Sequence, residues 1–242
     1  MVAQLGGHTM ILNGAPVVFL PRPMGGAVPY SLSYAANGYV TMGVPASLDD
    51  LFAGNATVDI YFRPGSVAVN QGLFTQTNTS PNGYRVWTSA ANAVFSVIDG
   101  GGVGRQVLRA GLVVGTWAYL RARRNGGNIY LSLNAGAEAT IGCMGFTVSA
   151  RQVCMGICDN NLALLQFFPL TGLICYVHAW NTDKGILGAV PTSPFAVDGN
   201  TVGRWIHSDG AGATLSDSSG NLNHGTISVA AWSATVPAGW SI

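Results

Sequence analysis

The sequence predicts an all-β chain folded as a two-sheet antiparallel jelly-roll sandwich with an extended N-terminal arm. Three observations carry that prediction. Side chains alternate between apolar and polar over short runs, Gly- and Pro-rich turns separate those runs, and no stretch carries a helical stripe of useful length.

Taken in chain order, the first feature is the segment Gly14 to Pro29, which holds Pro16, Pro21, Pro23 and Pro29. Proline lacks the N–H that a sheet ladder needs, so this segment is extended and is no central strand. Residues 1–33 therefore read as an arm, which either drapes over its own domain or reaches a neighbouring subunit, and residues 34–242 read as the jelly-roll domain. Around Ser47 to Phe52 a single helical turn is expected, with Ser47 as its cap and Asp50 three residues on. From Thr57 to Arg63, Val58, Ile60 and Phe62 alternate with Thr57, Asp59, Tyr61 and Arg63, which is a strand with one buried face. Ala118 to Arg124 and Asn128 to Asn134 repeat the pattern, and the Asn125-Gly126-Gly127 turn between them predicts a hairpin. Further turns are expected at Arg63-Pro64-Gly65-Ser66, Ser80-Pro81-Asn82-Gly83 and Asp99-Gly100-Gly101-Gly102. Leu162 to Leu170, broken by Gln166 and Pro169, reads as a buried strand and its turn.

Composition narrows the function classes. Of 242 residues 48% are hydrophobic and only 9% charged, with one lysine, Lys184, one glutamate, Glu138, and a formal net charge of +1. An ordinary domain carries about 25% charged residues, so little keeps copies of this chain apart. Either other protein covers much of the surface, or Ser, Thr, Asn and Gly coat it. Scattered arginines argue against nucleic acid, which needs a clustered basic face. Only Arg121, Arg123 and Arg124 crowd together, and on a strand Arg121 and Arg123 share a face with Tyr119, expected to be solvated. No run reaches the ~18 apolar residues of a membrane helix. Met1 to Gly7 lack the basic start and apolar block of a secretion signal.

Cys143, Cys154, Cys158 and Cys175 show no zinc-like spacing. Cys154 and Cys158 stand ~13 Å apart on an extended strand, beyond disulfide reach. Buried free thiols are the expected state, although a hairpin could still join a pair.

A family resemblance emerges from several short runs in fixed order. Gly38-Tyr39-Val40, then Asp59-Ile60-Tyr61-Phe62-Arg63-Pro64, Trp117, Ile129 to Gly136, Ile141-Gly142, and Val177 with Asn181 together resemble the laminin-G-like branch of the concanavalin A-like lectin/glucanase superfamily. Near the end, Gly210-Ala211-Gly212 precedes Asp217-Ser218-Ser219-Gly220-Asn221-Leu222-Asn223-His224-Gly225. That run resembles the family hallmark E-G-S-G…D-x-S-G-N-x-N-x-G, with Asp209 where relatives often have Glu. In most relatives the hallmark opens the domain, whereas here it follows the strand that normally ends it. The likeness covers roughly Tyr34 to Ile227 and implies a concanavalin A-like jelly roll with a permuted order. Chains with this late hallmark look similar to bacteriophage structural proteins, in tails or capsid decoration.

Candidate chemistry is sparse. Glycosidase relatives use paired acids on one strand, but Glu138 has no acidic neighbour in sequence. His224 in the hallmark reads as a loop brace. Asp209, Asp217, Asn221 and Asn223 offer the hard oxygens that Ca²⁺ takes, and are equally what tight turns require. Tyr84, Trp87 and Trp180 are the aromatic candidates for stacking on a sugar, or else part of the core. The expectation is a non-enzymatic virion protein that docks on other virion proteins and on itself as a homo-oligomer, with neither nucleic acid nor membrane as partner. The alternative is a lectin-like carbohydrate-binding module, with Ca²⁺ as an optional ion.

Overall fold

The structure, a computed structural model, describes residues 9–12, 15–18, 28–35, 37–76, 83–98, 102–146, 151–159 and 166–242. The Ser80-Pro81-Asn82-Gly83 and Asp99-Gly100-Gly101-Gly102 turns fall mostly outside these residues, as do parts of the arm and of Leu162 to Leu170. Thr9–Leu12 and Ala15–Val18 pair as a separate antiparallel hairpin.

The described residues of the domain build two eight-stranded antiparallel sheets. The first sheet runs in the order Ala139–Gly142, Asn128–Leu133, Ala118–Asn125, Ala56–Pro64, Gly172–Trp180, Ser31–Tyr34 and Ala231–Ser233, with Thr201–Trp205 also paired to Gly172–Trp180. The second runs Thr214–Leu215, Gly225–Ser228, Tyr39–Thr41, Cys154–Met155, Gln71–Thr75, Tyr84–Ser89, Asn92–Ile98 and Gly104–Ala110. Alternation places Val58, Ile60, Phe62, Leu120, Ala122, Ile129, Leu131, Ile174 and Val177 inward from the first sheet. Val40, Phe74, Tyr84, Val86, Phe95 and Val97 face them from the second. Each fully buried large side chain contributes about 1.5–3 kcal/mol, so this shared interior is the main stabilising term. The Asn125–Asn128 hairpin forms as predicted, with Gly126 at φ 56°.

Two expectations need correction. The helical turn spans Leu51–Ala53 and is headed by Asp50, with no side-chain cap. Ser47 Oγ instead accepts from Asn223 Nδ2, because the last part of the chain packs there. Arg121 and Arg123, expected in solvent, are only 4% and 6% exposed, since a later segment lies over their face. Arg124 points the other way and donates to the Phe52 and Ala53 carbonyls at the open end of that turn. All four cysteines are buried and free. No helix among the described residues is long and apolar enough to cross a membrane.

The late hallmark closes the sandwich. Gly225–Ser228 pairs with Tyr39–Thr41, and Ala231–Ser233 pairs with Ser31–Ser33, so the chain's end completes edges that its beginning left open. A Cβ at Gly225 would stand 2.3 Å from Val40 Cγ1, which is why this hallmark position has no side chain.

Candidate binding site

The outward face of the first sheet carries residues in register across its central strands. Arg121 lies opposite Asp59, Asp59 opposite His178, and His178 opposite Arg204. One step along, Tyr119 lies opposite Tyr61 and Tyr61 opposite Tyr176. One step the other way, Arg123 lies opposite Thr57 and Thr57 opposite Trp180.

This face is buried rather than solvated. Residues 182–198 cross it as a strap, held where Thr57 Oγ1 donates to Thr182 O (3.0 Å) and accepts from Lys184 N (2.9 Å). Arg121 Nη1 donates to Gly185 O at 3.2 Å, and Arg123 bridges Asp183 and Glu138. The end of the chain adds Trp240, whose ring lies 5.3 Å from those of both Tyr61 and Tyr176. A second apolar cluster of Tyr119, Cys175, Tyr176, Leu187 and Trp240 results.

Beneath the strap, Asp59 accepts from Arg121 Nε, Arg121 Nη2 and Tyr119 Oη, each at 2.7 Å. Burial raises the Asp59 pKa above the ordinary carboxylate value against the pull of Arg121 and Tyr119, but three donors converging on both oxygens fit a carboxylate, and on that geometry the pair is read as ionised. Burial works to lower the Arg121 pKa, but the hydrogen bonds and charge of Asp59 carry it above the ordinary guanidinium value. Next to it, His178 Nδ1 lies 2.8 Å from Tyr176 Oη and Nε2 3.1 Å from Thr201 Oγ1. Tyr176 Oη also accepts from Phe195 N, and Thr201 Oγ1 donates to Asp198 Oδ1. The consistent tautomer is neutral, with the proton on Nε2. Burial first, and the charge of Arg204 second, push the His178 pKa down to about 3.

At one end of the strap opens a cavity of about 360 Å³, lined by Arg121, Trp180, Lys184, Ile186, Leu187, Phe195, Ala196 and Asp198. Trp180 stacks on His178 with ring centroids 3.6 Å apart, and Phe195 stands edge-on at 6.0 Å. Lys184 Nζ sits 5.5 Å from the Trp180 ring centroid and 2.5 Å from Asp198 Oδ2. Rings, a cation and an anion thus converge on a space of the size that small ligands occupy.

The three aromatic candidates do not come together. Trp180 belongs to this cavity, though the folded strap leaves it 2% exposed. Tyr84 is 0% exposed in the main core, near-parallel to Phe74 and donating to Leu48 O, so its ring meets no solvent. Trp87 lies on the outer face of the second sheet, stacked under Phe168 and beside Arg85. Lys184, Phe195 and Asp198 escaped the sequence reading. The one available signal was that Lys184 is the only lysine.

The hallmark loop holds its oxygens differently. Asp217 accepts from Arg204 N and Ser219 N on Oδ1, and from Asn223 N and Ser219 Oγ on Oδ2. A carboxylate has about four acceptor positions, and these four bonds fill them. Asn221 and Asn223 donate through their amides to Thr201 O and Val202 O, while Asp209 accepts from Ser216 N. His224 Nδ1 accepts from Asp217 N at 3.0 Å, the brace expected of it. Gly220, at φ 93°, makes the turn. Among the described residues no three His, Cys, Asp or Glu side chains group as a metal site.

No family model and no curated protein matches the sequence. Solved structures do. A Bacteroides ovatus protein assigned as a candidate carbohydrate binder is similar over 85% of this chain and 60% of its own, at 13% identity and TM-score 0.60. Domains LG4-5 of the mouse laminin alpha1 chain match 78% of this chain and 55% of theirs, at 14% identity and TM-score 0.50. A heptameric SAP-like pentraxin of Limulus polyphemus matches 66% and 80%, at 12% identity and TM-score 0.50. The chain therefore spans about 60% of the length of the first of these, and the likeness is one of fold.

Proposed function

We propose that this chain is a non-enzymatic, lectin-like module that binds carbohydrate in the cavity between the strap and the first sheet. The observation that carries the reading is the meeting of Trp180 and Phe195 with Lys184 and Asp198 on the outer face of a jelly roll. A sugar's apolar face packs on a ring while its hydroxyls bond to neighbouring charged groups; here the half-buried Phe195 supplies the ring, backed by the buried Trp180, and Lys184 and Asp198 supply the charges. The Bacteroides ovatus protein of similar fold supports it as an analogy. A glycan array probed with the purified protein tests the reading. Signal that Phe195→Ala removes supports it, and no signal above background overturns it.

A second reading, docking on virion proteins and on further copies of itself, rests on the 9% charged composition and on exposed apolar side chains such as Val69, Val113 and Met144. Its test is mass by light scattering at high concentration together with the protein's presence in purified particles. A monodisperse monomer absent from particles rejects it.

A further inference from the structure

Two charges face each other at the cavity, and they differ in how firmly they are held. Asp198 is fixed: its Oδ1 accepts from Asn200 N at 3.0 Å and Thr201 Oγ1 at 3.2 Å, and its own N–H donates back to Thr201 Oγ1. Thr201 is tied in turn to His178 on the sheet. That leaves Asp198 Oδ2 aimed at Lys184 alone. Lys184, by contrast, holds its backbone on Thr57 but carries its ammonium on a flexible four-carbon stem. The built part of the site is therefore an anion beside aromatic rings, and the cation is a movable occupant.

One face of the Trp180 ring is taken by His178, and the Lys184 ammonium stands 5.5 Å from the ring centroid. A carboxylate together with indole and phenyl rings is the chemistry that recognises ammonium groups. Resting on the carbohydrate reading, we propose that the cavity selects a sugar bearing a free primary amine, whose ammonium takes the position between Asp198 and Trp180 that Lys184 holds in this structure. The exchange replaces like with like. The incoming ammonium restores the ion pair and the ring contact, while the released Lys184 side chain returns to water, where an exposed pair loses little. An anionic sugar would have to sit beside the fixed Asp198 carboxylate, and a neutral one would break the pair with nothing in its place. Arg121 does not reverse this bias, because Asp59 neutralises it.

The experiment titrates methyl glucosaminide, its N-acetyl counterpart, methyl glucoside and choline into wild type, Lys184→Ala and Asp198→Asn, read by calorimetry and tryptophan fluorescence, with melting curves confirming that each variant is folded. Vacating the site in Lys184→Ala strengthens glucosaminide binding by about twofold to fivefold, by removing the internal competitor. The N-acetyl and neutral sugars bind about threefold to tenfold more weakly than the amine, since neither restores both the ion pair and the ring contact. Asp198→Asn erases the preference. Equal binding of amine and N-acetyl forms, or a preference that survives Asp198→Asn, overturns the inference and leaves the carbohydrate reading standing. Binding of choline without any sugar keeps the ammonium site but refutes a sugar as its source. No binding of any probe to any variant overturns both readings together.

Discussion

Two polar clusters sit within one strand of each other, and they are built to opposite ends. In the hallmark loop, Asp217 accepts from Arg204 N on the neighbouring strand, from the loop's own Ser219 and Asn223 N–H groups and from Ser219 Oγ until its acceptor capacity is full. On the outer face of the first sheet, Asp59 takes three donors, but Asp198 at the rim keeps one oxygen for Lys184 alone. A carboxylate in a suggestive motif is a binding group only if some of its capacity remains. By that measure the loop is built as a brace, and the rim of the strap is where the proposed ligand would be met.

That contrast can be broken at several points. The largest expected effect is at Asp59. Its replacement by alanine leaves Arg121 buried without a counter-ion and lowers unfolding free energy by about 3–5 kcal/mol in denaturant titration. A loss near zero would mean that the strap already admits water to the face. Asp217→Ala removes four hydrogen bonds to a charged acceptor and is expected to cost ~3 kcal/mol, while a chelator leaves the melting temperature of the wild type unmoved. A chelator-dependent drop would show that the loop holds an ion after all.

Acid gives a smaller, graded effect. His178 and His207 titrate at about 3 and about 4 in the folded chain, against an ordinary value of 6.5, in both cases chiefly because burial disfavours the charged ring. Each is protonated on unfolding before it is protonated when folded. Stability is therefore full above pH ~6.5 and falls as pH drops, by up to about 1.4 kcal/mol per pH unit for each histidine, until the folded value is passed. Denaturation midpoints compared at pH 7 and pH 5 read this slope, and His178→Gln should reduce it by about half. The same slope in the variant would place the acid response elsewhere. The smallest effect belongs to Lys184→Ala, which breaks an exposed pair and should change stability by less than about 1 kcal/mol. A larger loss would make Lys184 a structural clamp.

Much of the architecture was legible in local pattern. The alternation of Val58, Ile60 and Phe62, repeated by Leu120 with Ala122 and by Ile129 with Leu131, assigned both the strands and their buried side. Asn125-Gly126-Gly127 marked the hairpin, and the hallmark's His224 was recognisable as a brace. Alternation names two faces, however, and does not say what covers the outer one. For that reason Arg121 and Arg123 read as solvated, and only the strap, with Gly185 on Arg121 and Asp183 on Arg123, made them buried. Likewise Tyr84, Trp87 and Trp180 are alike in sequence, yet they lie in the core, on the second sheet's outer face and at the cavity respectively.

By itself the sequence determined which segments are strands, where they turn and which side of each is oily, because those properties depend on neighbours one or two residues away. The tertiary structure alone decided that Lys184, Asp198, Phe195 and Trp180 share a cavity with Arg121. That outcome depends on where a strap distant in sequence from Arg121 comes to rest on a sheet, and no local periodicity encodes the landing place of a loop.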